Sequence, residues 1–242
     1  MGSLWSVGIM LTPVRKQPTT DNRQLTIQSI AKLFLHAYLC LMWIAFKEWL
    51  IVVDALGRGE QIIILRKGGL GEGHGGFKAE HSLFLLFPTL FHQQRESVVS
   101  SAQLRFDELA SSLPPKDCVR IEFFCELADW QRLDSLAAAE RLRGQHIWPD
   151  AVIAQRFDWG NEKNILALAV RAFRLPEVVE LPMLEDYRGC KSWITLAQDI
   201  SPHGAIPVLS DTGFAQKLAQ FRDALKMTRV SPAREPSLGV FQ

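Results

Sequence analysis

The stretch Trp49–Arg66, WLIVVDALGRGEQIIILR, decides how the chain is read. Trp49 to Leu56 is a short apolar run with several β-branched residues. Gly57, Arg58 and Gly59 form a turn signal, and Gln61 to Arg66 is a second β-branched run. Two such runs around a glycine turn predict a β-hairpin. Working outward, residues 77–87 (FKAEHSLFLLF) predict a third strand closed by Pro88. Ser101 to Leu113 has helical spacing, with Leu104, Leu109 and Leu113 apolar and Pro114-Pro115 as a stop. Val119 to Leu127 predicts a strand, and Trp130 to Leu142 a helix carrying Leu133, Leu136, Ala137 and Leu142. Pro149 suits the first turn of a helix over Asp150 to Phe157. Ile165 to Leu175 reads as a central strand stopped by Pro176, and Val178 to Leu181 as a short one. Ser210-Asp211 caps a closing helix whose face is Phe214, Leu218, Phe221 and Leu225. Strands and helices in this irregular order predict an α+β fold: a single domain with a mixed or barrel-like sheet and peripheral helices.

The totals exclude little. The chain has 242 residues, 48% hydrophobic and 22% charged, an ordinary globular composition. A net charge of +1 gives no global electrostatic signal for nucleic acid or membrane. Residues 1–42 carry +3, which leaves the rest at −2. Cys40, Cys118, Cys125 and Cys190 have no CxxC or zinc-finger spacing, so they read as reduced, buried thiols of a cytoplasmic protein. Leu33 to Phe46 is apolar except for His36, yet at 14 residues it is shorter than the roughly twenty that a spanning helix needs. No transmembrane anchor is expected. The expected organisation is a variable or spurious, partly disordered extension over 1–41, one domain over 42–227 and a flexible tail over 228–242.

The chemistry-bearing residues crowd into Phe46 to Gln94. The loop Gly68–Gly76 contains G-x-G-x-x-G at Gly71, Gly73 and Gly76, but Phe77 to Ser82 after it reads as strand, so it lacks the helix that a dinucleotide fingerprint requires. Its amides remain a candidate anion cradle. Arg66 and Lys67 lie just before that loop and could hold phosphate, Arg as a fork and Lys as a point charge. Glu48, Glu80, His81 and His92 are candidate acid–base groups or metal ligands, with Asp54 as a further acid. If 77–87 is a strand, Glu80 and His81 point to opposite faces, and His81 has a competing reading as a hydrogen-bonded core residue. The acid, acid-x-Lys pattern of a metal nuclease is absent, since Lys78-x-Glu80 has the reverse order. Cys190, between Arg188 and Lys191, is the one thiol in a polar setting. Trp49, Trp148, Trp159 and Trp193 stand beside charged or turn residues and could stack on bases, or simply pack.

Longer motifs point to a family. Phe46-Lys47-Glu48-Trp49, Gly59-Glu60-Gln61, Leu65-Arg66-Lys67-Gly68-Gly69, Phe77, Glu80-His81, Phe84, Leu86-Phe87-Pro88-Thr89 and His92-Gln93 together resemble the uncharacterised family domain of unknown function 1802. His146-Ile147-Trp148, Arg156-Phe157, Trp159 and Tyr187–Trp193 (YRGCKSW) fit it too. The resemblance runs from about Met42 to Leu225, implies a soluble bacterial protein and lends support to Met42 as its natural start. It brings no established activity and so assigns no catalytic role.

Three functions are compatible with these residues. The first is a nucleotide- or nucleic-acid-binding module, with Lys47, Arg66, Lys67, Gly68, Gly69, His92, Trp148, Lys191 and Trp193 as ligand-binding residues. The second is a metal-dependent phosphodiesterase or nuclease using a divalent metal, with Glu48 or Asp54, Glu80 and His81 as catalytic groups and Lys67 stabilising charge. The third is a structural or protein-interaction scaffold.

Overall fold

The computed structural model describes residues 44–67, 79–90, 94–160 and 162–226. All of them fall in one compact unit, Cys40–Gln242. The fold is α+β. Among the described residues, seven strands form one open, mixed sheet: β1 (Ile44–Trp49), β2 (Ile63–Arg66), β3 (Leu83–Thr89), β4 (Cys118–Leu133), β5 (Ile165–Pro182), β6 (Trp193–Thr195) and β7 (Ile206–Pro207). The strand order is β2-β5-β4-β3-β1-β6, with β7 pairing with β5 farther along the edge that β2 uses. Only β1 and β3 run parallel, with Phe46 opposite Leu86 and Glu48 opposite Pro88. Five helices complete this part of the chain: α1 (Leu50–Gly57), α2 (Ser100–Ser111), α3 (Leu136–Glu140), α4 (Asp150–Asp158) and α5 (Asp211–Lys226).

The expected hairpin is not formed. Leu50–Gly57 is a helix, and β2 pairs antiparallel with β5 instead, Ile63 facing Ala169. Two parallel strands cannot be joined by a tight turn, so β1 must be followed by a crossover, and α1 begins it. This helix is apolar on nearly every side, because Ile51, Val52, Val53, Ala55 and Leu56 are all buried. A run buried all round carries no periodicity to separate helix from strand. Gly57 closes the helix against Phe123, whose ring tip would lie 2.2 Å from a Cβ at that position.

Other boundaries shift for identifiable reasons. Trp130 to Leu133 extends β4 rather than opening a helix, because its backbone pairs with Ile165 to Leu168 of β5. Pro176 does not stop β5. Between Arg174, paired with Phe123, and Val179, paired with Ile121, four β5 residues face Glu122 alone, and a bulge of this kind accepts a proline. Pro88 lies inside β3 at a level where the ladder has only β1 beside it. On α2, Ala102, Phe106 and Leu109 pack inward, whereas Leu104 is 70% exposed. The closing helix is as expected: the Ser210 side chain accepts from Gly213 N at 3.2 Å, and Phe214, Phe221 and Leu225 are buried. Among the described residues, no helix is long and apolar enough to cross a membrane.

Candidate functional site

The strand β1 ends in three polar or aromatic residues, and the fold gathers others around them. Glu48 is only 3% exposed. Its carboxylate accepts from Trp49 N at 2.8 Å and lies 3.9 Å from the Arg66 guanidinium. Arg66 is the last residue of β2, the end strand of the sheet path and four strands from β1. It reaches back so that its guanidinium sits 5.2 Å from the Phe46 ring centroid and donates to Ser192 Oγ at 2.9 and 3.1 Å. Ser192 directly precedes β6, so this side chain ties one end of the strand order to the other.

A second guanidinium approaches from α4. Arg156 lies 3.8 Å from the Trp148 ring centroid and 5.6 Å from that of Trp49, and its Nη1 donates to Leu65 O at 3.1 Å. The two indoles meet edge to face at 5.0 Å. Burial is the main force on this group and pulls its pKa down to about 10; the Glu48 carboxylate opposes the shift and Arg66 adds to it. Arg156 is still protonated at neutral pH, so two cations lean on one buried carboxylate. Trp193 closes the aromatic side, packing edge-on against Phe46, Phe84 and the His81 ring at 4.8, 5.1 and 4.9 Å.

The two lysines are held differently. Lys47 is buried, and its ammonium donates to Tyr187 O and Gly189 O, both at 2.7 Å. Desolvation lowers its pKa most, and the Arg66 and Lys191 charges lower it further against an opposing contribution from Cys190. Lys47 therefore anchors the 187–189 turn that delivers Ser192 and Trp193. The Lys67 ammonium donates to the carbonyls of Phe157, Glu162 and Asn164 (3.2 Å for Phe157, 2.9 Å for Asn164) at the end of α4. Burial lowers its pKa as well, with Lys163 as the next contributor. Both ammonium groups are committed to the chain's own carbonyls.

Of the residues singled out in the sequence, the fold brings together Lys47, Glu48, Arg66, Trp148, Trp193 and His81, with exposed Lys191 beside Ser192. Glu80 is exposed and, like His81, precedes β3, so strand alternation does not govern the pair. Asp54 lies on α1, where it takes two hydrogen bonds from Arg105 at 2.8 and 3.1 Å. Among the described residues, no three His, Cys, Asp or Glu side chains gather to hold a metal ion. Gly68, Gly69, His92 and the rest of the glycine loop lie outside the described residues. Of the cysteines, Cys125 is buried and burial raises its pKa, but Cys190 is exposed and Cys118 half-buried. Arg156 is the one charged residue of this cluster to which the sequence reading assigns no role. Its signal was a base at helical spacing from Ile153 on the buried side of α4.

The model of the family described as domain of unknown function (DUF1802) matches residues 45–220. The chain belongs to this family. The match spans β1 through the middle of α5 of this DUF1802 protein, and so includes every element around Glu48. No curated protein is significantly similar to it. Among solved structures, a crystal structure of ASCH from Zymomonas mobilis is similar at a TM-score of 0.34 and 14% identity, covering 73% of this chain and 92% of that one. A point mutant of the same protein gives a TM-score of 0.35 at 14% identity, covering 73% and 93%.

Proposed function

We propose that the chain is a nucleotide- or nucleic-acid-binding module and that Arg66 and Arg156 form its phosphate-facing pair. The observation that carries this reading is the excess of positive charge around Glu48: two guanidiniums, one of them stacked on the Trp148 indole, lie near a single carboxylate that Arg66 approaches only to 3.9 Å. In a partly desolvated place such an imbalance favours an added anion. Arg66 remains 23% exposed, and an arriving anion would replace the neutral Ser192 hydroxyl on its Nε–Nη2 edge. Trp193 and His81 offer ring faces or edges to a base. In the sequence, the glycine-rich stretch Gly68–Gly76 begins two residues after Arg66, and its amides would join the same site.

The test is fluorescence anisotropy of the full chain with labelled single- and double-stranded DNA and RNA at several salt concentrations. Binding should weaken as salt rises. Arg66→Gln should lower affinity by about tenfold and flatten the salt slope. Salt-independent binding, or none with any of the four probes, would reject the reading. Running the same samples with Mg²⁺ or Mn²⁺ on a denaturing gel reads out the phosphodiesterase alternative. That alternative has less support, because Glu48 faces arginines, Asp54 is held by Arg105 and Glu80 is exposed.

A further inference from the structure

The strand β4 outruns β3 and carries an indole into the open. Its last residue paired with β3 is Glu126, opposite Leu83, yet it continues to Leu133 against β5. Trp130 lies in that extension and is 54% exposed, more than any other tryptophan among the described residues. An indole carries a large apolar surface that folding ordinarily buries. Among the described residues, the Trp130 ring meets no other ring and no cation, whereas Trp49, Trp148 and Trp193 each pack against rings.

The ladder fixes which way this indole points. Residues directly opposite across an antiparallel pair share a face, and alternate residues along a strand return to it. Trp130 is opposite Leu168, and Arg132 is opposite Leu166. On the other side of β5, Ile64 is opposite Leu168 and Arg66 is opposite Leu166. Trp130, Arg132 and Arg66 therefore share one face of β4, β5 and β2, with Ile64, Leu166 and Leu168 buried among them. Asp129 and Gln131 point to the other face, where Asp129 pairs with Arg222 of α5 at 2.6 Å. Two strand spacings and two residues put the α-carbons of Trp130 and Arg66 about 12 Å apart. Arg132 is balanced by Asp134 at 2.7 Å and Glu162 at 3.5 Å, which leaves Arg66 as the cation on this face open to an anion.

A protein or membrane contact needs a contiguous apolar patch. The apolar neighbours of Trp130 on its face, Ile64 and Leu168, are buried, so the indole stands alone beside guanidiniums. A lone ring beside cations suits a ligand that is itself a ring joined to an anion. A duplex offers its phosphates and base edges, but its base faces are covered by stacking, so an indole can stack only on an unpaired base. We propose that Trp130 is the stacking platform for an unpaired base of a single-stranded nucleic acid whose phosphate lies against Arg66. The placement rests on the phosphate-facing role of Arg66 above. It adds the strandedness of the ligand and a residue outside the Glu48 cluster.

The experiment is fluorescence anisotropy of the full chain with labelled single-stranded DNA and RNA and the duplexes of the same sequence, for wild type, Trp130→Ala, Trp130→Phe and Arg66→Gln. The single strand should bind more tightly than the duplex. Trp130→Ala should weaken the single strand about tenfold, and Trp130→Phe should restore most of the loss. The salt slope of Trp130→Ala should stay that of wild type, because no phosphate contact is removed. Matching urea midpoints for the Trp130 variants and wild type exclude a folding defect as the cause. Equal affinity of wild type and Trp130→Ala for the single strand, or an equal loss with the duplex, overturns the proposal. Loss in Arg66→Gln without loss in Trp130→Ala keeps the phosphate-facing pair and rejects the platform. Loss in Trp130→Ala alone rejects the role of Arg66 and with it the proposed placement. No binding of any probe rejects both.

Discussion

Trp148 belongs to two polar neighbourhoods that treat charge in opposite ways. Around its ring, Arg156 stacks close to the Glu48–Arg66 pair, with the Trp49 amide donating to Glu48 and Arg156 donating to the Leu65 carbonyl. Around its backbone amide, His146 is kept uncharged by burial and by the same Arg156. The contrast shows how one fold can hold charge in one place and exclude it a few residues away. Counter-charge permits burial of ions in the first, and desolvation without counter-charge forbids it in the second.

The largest expected effect comes from removing the counter-charge. Glu48→Leu leaves Arg66 and Arg156 facing each other in a poorly solvated place and should cost about 3–5 kcal/mol, read from urea unfolding midpoints. A cost below about 1 kcal/mol would mean that the two arginines reach solvent easily, and the contrast with His146 would dissolve. Next comes acid. A histidine in the unfolded chain titrates near 6.5, whereas His146 in the fold titrates near 4. Between these values the unfolded chain binds more protons, so the stabilising contribution is complete above about pH 6.5 and is lost as pH falls through about 4. The loss should be on the order of 3 kcal/mol, and His146→Asn should remove that part of the pH dependence. An unchanged acid limb in the variant would place the titrating group elsewhere. The smallest effect is a control. The Asp54–Arg105 pair sits between α1 and α2 with its arginine 36% exposed, and Arg105→Ala should cost only about 0.5–1 kcal/mol. A loss as large as that of Glu48→Leu would show that burial does not separate the two acids.

Much of this arrangement could be read in the sequence, and the parts that could not share a cause. Lys47, Glu48, Arg66 and His81, crowded with tryptophans in the sequence, lie close together in the fold, because polar residues inside apolar runs need partners. What each does there depends on groups that no local pattern names. Lys67 looked like a phosphate ligand but meets three carbonyls at the end of α4, far along the chain. Arg156 and Ser192 were quoted in family motifs without a role, and only the closing of β2 toward β6 brings them to Arg66. The same holds for the fold. The class follows from the irregular order of elements. The hairpin error follows from Leu50–Leu56, where a buried helix and a buried strand have the same apolar composition and only the parallel β1–β3 pairing selects between them.

The sheet also carries a consequence in time. Phe46 of β1 pairs with Trp193 of β6, 147 residues later in the chain, and β2 waits for β5. Pairings this remote place the protein among slow folders, since a long loop must close before any contact rewards it. During synthesis, β1 can meet β3 early, but its other edge emerges well before β6 exists, so the nascent chain displays an unpaired edge for most of its translation. That interval, rather than the finished fold, is when the protein is most exposed to aggregation and most in need of a chaperone.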